Sequence, residues 1–424
     1  MQLASQRHIT RLNVLSTSVR ALLVLYVLTA SRFTSLFDAS PEVVQSMNAT
    51  LSKPLLRWDV FHFDSIAQHG YQYEHHWAFF PGVTYISRFV SQQLSSYITD
   101  VGTLTAGCLA ALMFDGTITL YELSLLHTRS RHLSFLSALL SLIPSSPVTL
   151  RLAPYAEPFF TYMSYRGDEN CSGMLYCAQE RYFLGAWCFM LASFFRSNGI
   201  MLAGFIVWGL VAGPLLLRRK VHSQLLSAFI LAVYCTLLVS LCLAPFMYHQ
   251  YTAYRAFCNP PSNLPIPPPV WCHRSPPLIY SYVQHKYWNT GLFQYWTLQQ
   301  LPNFLIASPP LMLIFSYAYH YFKHGPLKKV FLRGSQSGLE SHPNPLLCVP
   351  IVPHAIHAVI FCSTLLFVSH TQISLRLVAS MPFTYWAAAW LMIEHPSWGK
   401  WWVCWSVLWA ITSVILWVAF LPPA

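Results

Sequence analysis

Charge is scarce in this sequence. Of 424 residues only 9% are Asp, Glu, Lys or Arg, and 14 are acidic. A soluble domain carries about 25% charged residues, so a water-soluble globular fold is excluded. Nucleotide chemistry lacks its usual marks. There is no D-x-D pair to hold a divalent metal, no P-loop and no Gly-rich dinucleotide fingerprint. No G-x-S-x-G elbow supports Ser/His/Asp catalysis. The 11 cysteines are scattered singly, without CxxC or a His/Cys cluster at zinc spacing, so no metal is expected. Most lie in apolar runs, where cysteine behaves as a small buried hydrophobe. No small-residue cleavage pattern follows the apolar stretch between Arg20 and Arg32, which reads as a retained first span. No repeat of fixed period and no compositional break divides the chain, so residues 1–424 are expected to form a single domain.

Long apolar runs are what the chain has instead. Hydrophobic residues make up 55% of it, and the mean hydropathy is +0.43. The runs are continuous rather than alternating, which points to an all-α polytopic membrane protein and away from a barrel. Spans are expected at roughly 15–37, 101–126, 133–150, 154–165, 175–196, 199–217, 224–247, 301–322, 349–369, 377–394 and 401–420, about eleven in all. Net charge is 25 − 14 = +11, but the basic residues sit in short clusters between spans. That is the positive-inside pattern rather than a nucleic-acid surface. It places Arg218-Arg219-Lys220 in the cytoplasm and the two large loops, about 38–98 and 248–300, in a lumen. The first loop carries a glycosylation sequon, Asn48-Ala49-Thr50. In the second, Cys258 and Cys272 bracket a proline-rich stretch and are candidates for a disulfide if that side is oxidising.

Polarity concentrates in Arg57–Gly82, RWDVFHFDSIAQHGYQYEHHWAFFPG, which holds Asp59, Asp64, Glu74 and four histidines. Ionisable groups this dense beside membrane spans are costly without a role, which makes the stretch a candidate site. Trp58, His62, Ser65 and His69 recur at helical spacing beside Phe63, Ile66 and Ala67, the pattern of an amphipathic surface helix ended by Gly70. Asp59 at its start is favoured in its ionised form by the helix dipole and is a candidate general base on a sugar hydroxyl. The alternative is a capping or pairing acid, with Arg57 as partner. Asp64 reads as a solvated or pairing acid. The aromatics of both loops suit a sugar head group on a lipid tail, and suit an interfacial belt equally well. A glycosidase needs two carboxylates, whereas a sugar-phosphate donor has an anionic leaving group and needs one base plus cations. Arg376, His370 and Arg196 are the candidate phosphate holders.

The same stretch resembles the W-D-x-x-H-F…G-Y-x-Y-E-H…F-F-P signature of the PIG-V family of GPI mannosyltransferases. The likeness continues in order through Ala153-Pro154-Tyr155-Ala156-Glu157, Arg196-Ser197-Asn198-Gly199, YSYVQHKYWNTGLFQYWTLQQLPNFLIASPP at 280–310 and PHAIHAVIFCSTLLFVSHTQISLRLVASMPFTYW at 353–386. The last segment holds an H-x-Q…R pattern at His370, Gln372 and Arg376. The resemblance implies a GT-C type bundle that moves mannose from dolichol-phosphate-mannose to the GPI precursor in the endoplasmic reticulum membrane, forming the second, α-1,6-linked mannose. It implies an inverting displacement without metal or cofactor, and a small stabilising membrane subunit. By position Asp59 becomes the lumenal-loop carboxylate that acts as the catalytic base, with Trp58, His62, Glu74, Phe80 and Pro81 shaping the site. Tyr155, Glu157, Asn198, Gln284, Trp288, Asn289, Asn303 and Arg376 match further motif positions. Gln294 departs from the family, where a basic residue is expected. Two other readings remain at this point, a different GT-C enzyme using the same donor and a lipid transporter or scaffold. A transporter would show repeated halves around a midplane site, which the sequence lacks.

Overall fold

The computed structural model describes residues 2–37, 52–98, 101–165, 173–216, 225–259, 268–326 and 344–421. The Asn48 sequon, the 166–169 loop, Arg218-Arg219-Lys220, residues 260–267 and most of the polar insert after 334 lie outside them. The described residues are helical, with no strand among them. In chain order the helices are α1 (Gln2–Phe33), α2 (Asp59–His69), α3 (Pro81–Ser95), α4 (Thr103–Met113), α5 (Thr117–Thr128), α6 (Arg131–Leu140), α7 (Pro147–Arg151), α8 (Ala156–Tyr165), α9 (Gly173–Ala178) and α10 (Tyr182–Phe195). A composite span over Ser197–Leu216 follows. Then come α11 (Leu225–Phe257), α12 (Ile279–Trp288), α13 (Leu301–His324), α14 (Val352–Phe367), α15 (Ser374–Leu377), α16 (Pro382–Glu394) and α17 (Pro396–Val418).

Seven helical stretches are long and apolar enough to cross a bilayer: Ser5–Phe33, Thr103–Thr128, Ser197–Leu216, Leu226–Phe257, Leu298–His324, Val349–Phe367 and Pro396–Val418. Each coincides with one of the eleven expected spans. The other four expected spans are helical but short. The 133–150 run breaks into α6 and α7 at the turn before Pro147, α8 is 10 residues long, α10 is 14 and α16 is 13. A helix rises about 1.5 Å per residue, so these four are too short to traverse the ~30 Å hydrocarbon layer alone. Each buries one face in the bundle, although α10 also turns Phe183 and Trp187 outward. Phe159 of α8, Phe189 of α10 and Trp386 of α16 are fully buried, while α11 turns Leu226, Phe229, Ile230 and Leu237 outward, as a lipid-facing helix must.

The two large loops meet. Helix α12 of the second lies against the turn Glu74–Ala78 of the first. Cys258 and Cys272 form a disulfide, with Cα atoms 5.5 Å apart. It ties the end of α11 to the Trp271 turn, whose ring packs with Trp77, Ala253, Ile279 and Val283.

Candidate functional site

The site begins with the entry into α2. Val60, Phe63, Ile66 and Ala67 recur on one face and are buried, seating this helix on the bundle. Beneath its start lies an apolar floor of Leu56, Val60, Leu152, Ala153 and Trp417. The far end is closed as the sequence predicts by Gly70, whose φ of +79° favours glycine. Arg88 of α3 adds a second clamp by donating to the carbonyls of Ala67 and Ile66 at the negative end of the helix dipole. Gly82 lets α3 approach closely, since a Cβ there would lie 2.5 Å from the ring of Phe195.

Asp59 occupies the first turn of α2. The residue before it, Trp58, is held at φ +51°, a conformation costing a bulky residue about 1–3 kcal/mol. The bent entry turns the Asp59 amide to donate to Tyr155 Oη at 3.1 Å. The Asp59 carboxylate accepts from Arg376 Nη1 at 3.2 Å and keeps 34% of its side-chain exposure. Arg376 comes from α15, 317 residues away, and its guanidinium lies 5.1 Å above the Tyr155 ring. Behind it stands Glu157, with no exposure at all, whose Oε1 lies 2.7 Å from Arg376 Nε and 2.5 Å from Arg196 Nη1. Arg196 in turn donates to Asn198 at 3.1 Å. Burial works against the Arg376 charge, but Glu157 and Asp59 outweigh it and raise the pKa. Two carboxylates and two guanidiniums therefore interlock, and of the two acids Asp59 is the accessible one.

The other expected residues fall in three places. His370, Gln372 and Asn303 gather around Tyr295, which sequence reasoning passed over. Tyr295 donates to Gln372 at 2.5 Å, accepts from Asn303 at 2.8 Å and stacks on His370 at 4.6 Å. His370 Nε2 lies 2.6 Å from the carbonyl of Trp288. Asn289 ends α12 in the left-handed region at φ +50°, its amide donating to the His285 carbonyl, while the Gln284 carbonyl accepts from Thr290. Gln294 lies 3.3 Å from His285 in the same region. Trp288 meets Phe79 at 5.8 Å, and Phe79 stacks on His62 at 4.6 Å, which joins this cluster to α2. Glu74 is taken up by Trp271, Lys286 and Tyr287, each at 3.1 Å.

Some expectations are corrected by burial. Arg57 is not the partner of Asp59, because its guanidinium is spent on the carbonyls of Val418, Lys53 and Leu56. Phe80 and Pro81 are buried at the start of α3, and the buried Glu157 lies against Arg196 and Arg376. Asp64 is not solvated. It accepts from Thr103 at 2.5 Å and Gln68 at 2.8 Å, and burial pushes its pKa up against those bonds. The three imidazoles His62, His75 and His76 are lowered by burial, His76 to about 4, and are neutral near pH 7.

A second arginine–carboxylate cluster lies among the spans, where α4 and α5 are interrupted at Phe114-Asp115-Gly116. Asp115 accepts from Ser16 at 2.5 Å, Arg20 at 3.1 Å, and the Thr117 amide and hydroxyl at 3.0 and 2.7 Å. Arg151 joins through Ser16 and the Ser141 carbonyl. A cavity of about 40 Å³ adjoins them, lined also by Tyr165 and Tyr385.

Comparison with known proteins agrees with the motifs that converge here. Residues 6–424 match the mannosyltransferase (PIG-V) family. GPI mannosyltransferase 2 of Cryptococcus neoformans var. neoformans is 31% identical over 421 residues, covering 93% of each chain. The GPI alpha-1,6-mannosyltransferase 2 of Rattus norvegicus is 31% identical over 80% of this chain and 74% of its own, and that of Homo sapiens 30% identical over 80% and 73%. No solved structure matches significantly. The chain belongs to the PIG-V mannosyltransferase family, a family of membrane-embedded glycosyltransferases that act in GPI-anchor synthesis.

Proposed function

We propose that this mannosyltransferase takes its sugar from dolichol-phosphate-mannose and adds it, α-1,6-linked, to the first mannose of the GPI precursor on the lumenal side of the endoplasmic reticulum membrane. The α-1,6 linkage is what the names of the rat and human relatives state of those proteins. The lumenal side is supported by the basic clusters between spans and by the Cys258–Cys272 disulfide on the face that carries Asp59. A small membrane subunit, implied by the resemblance, belongs to the same reading.

The observation that carries the mechanism is the Asp59–Arg376 contact at 3.2 Å, at a partly open mouth and backed by the buried Glu157. Arg376 is the natural seat for the donor phosphate, because a guanidinium offers paired donors to phosphate oxygens. With Asp59 and Glu157 opposite Arg196 and Arg376 the resting cluster is neutral, and an arriving phosphate competes with Asp59 for Nη1. Asp59 is then released from its ion pair as the donor binds. It accepts the proton of the acceptor 6-hydroxyl, whose oxygen attacks the anomeric carbon while the bond to dolichyl phosphate breaks. The leaving group departs as an anion and needs no proton. A β-linked donor becomes an α product in one displacement. Arg376 and Arg196 stabilise the growing phosphate charge, the effect that usually dominates such catalysis.

The test uses membranes carrying the chain, supplied with labelled dolichol-phosphate-mannose and a mono-mannosylated GPI precursor. The expected product is a dimannosylated precursor. Labelling of a dolichol-linked oligosaccharide instead, or no labelling at all, would remove the assignment.

A further inference from the structure

His62 stands one helical turn beyond Asp59 and faces two histidines from the turn that follows, His75 and His76. One nitrogen from each of the three lies within 4.8 Å of the others. The ring centres are 5.3 Å apart for His62–His75, 6.1 Å for His62–His76 and 4.7 Å for His75–His76, with planes crossed at 73°, 68° and 83°. Three imidazoles bound to one ion at about 2.0–2.1 Å place their ring centres roughly 5 Å apart. The observed separations of 4.7, 5.3 and 6.1 Å bracket that value, so small rotations of the three rings would bring one nitrogen of each onto a common ion. From this geometry we propose that His62, His75 and His76 form a binding site for a zinc-class divalent ion.

The donor set narrows the ion. Three neutral nitrogens suit Zn²⁺ and other late first-row divalents, whereas Mg²⁺ and Ca²⁺ require oxygen. Among the described residues no carboxylate or cysteine completes the group, so the site is three-coordinate from protein and leaves a position for water or a substrate oxygen. Each ring is backed by a neighbour. His62 stacks on Phe79 at 4.6 Å, His75 on Tyr73 at 5.5 Å with planes 4° apart, and His76 Nδ1 lies 3.3 Å from the Gln72 amide. Only that last contact is lost on loading, because a His76 bound through either nitrogen no longer presents a free Nδ1 lone pair to the amide. The site does not depend on the donor or acceptor assigned above. Nor is it a spacing that a sequence motif flags, since one ligand sits on α2 and two on a separate turn.

The test starts from the full-length protein, purified in detergent without chelator and assayed for metal by mass spectrometry. About one zinc-class ion per chain is expected. After chelator treatment, Co²⁺ should restore a visible d–d absorption of four-coordinate character in the same protein. His75→Ala should lose both signals, while His69→Ala, just outside the triangle, should keep them. A wild-type protein that is metal-free and gives no Co²⁺ spectrum overturns the site. So does a His62→Ala/His75→Ala protein that elutes as folded and retains its metal.

Discussion

The clusters at Asp59 and Asp115 use one chemistry, guanidinium against carboxylate, and differ in how fully the acid is occupied. Asp115 fills both oxygens with four hydrogen bonds from Ser16, Arg20 and Thr117. Asp59 receives a single side-chain contact among the described residues and stays 34% exposed, while the fully buried Glu157 fixes its arginine. A saturated carboxylate has no free lone pair for an incoming proton, whereas a sparsely held one at an opening does. On the proposed mechanism it is spare acceptor capacity, rather than burial of charge, that distinguishes the reacting acid in this bundle.

Substituting each acid tests that distinction with opposite outcomes. Asp59→Asn should lower mannose transfer by about 10²–10⁴-fold, the usual worth of a positioned general base, with a smaller loss of stability than Asp115→Asn, because Glu157 still holds Arg376. Asp115→Asn should cost about 1.5–3 kcal/mol of stability, because Ser16, Arg20 and Thr117 lose the charged acceptor they share. Turnover per folded molecule should survive that change. A well-folded Asp115→Asn protein without activity would break the comparison, as would an active Asp59→Asn protein.

Arg376→Lys gives a smaller and more discriminating effect. Lysine keeps the charge but cannot reach Asp59 through one nitrogen and Glu157 through another, as the guanidinium does. Losing one charge-assisted hydrogen bond costs about 1.5–3 kcal/mol, so kcat/KM should fall about ten- to a hundred-fold. Kinetics with varied donor should place the loss on the donor side. A loss confined to the acceptor KM would move the phosphate away from Arg376.

Much of this was readable from the chain. The Asp59 helix, its stop at Gly70 and the disulfide follow from helical spacing, glycine and two bracketing cysteines. The family motifs named Tyr155, Glu157, Asn198 and Arg376 individually. What they do together was hidden, because Asp59 and Arg376 are 317 residues apart and no local pattern says that Glu157 is shut away behind two arginines. Asp115 was hidden for the opposite reason. It sits in an apolar stretch whose average hydropathy masks a break, so the polar network around it has no periodic signal. The four short helices read as spans because an apolar run buried in protein has the same composition as one buried in lipid.

The smallest expected effect concerns Glu74, a motif residue whose role the geometry reassigns. Its carboxylate holds Trp271, Lys286 and Tyr287, so it fastens one large loop to the other. The lysine is 46% exposed, and a pair that open contributes about 0–1 kcal/mol. Glu74→Gln keeps the shape and one acceptor oxygen for the Trp271 indole. It should therefore leave global stability and the acceptor KM nearly unchanged while speeding amide hydrogen exchange in Val270–His273 and α12. Slow exchange in both segments together with a large rise in acceptor KM would return Glu74 to the substrate, and would extend the reactive mouth from Asp59 across the joined loops.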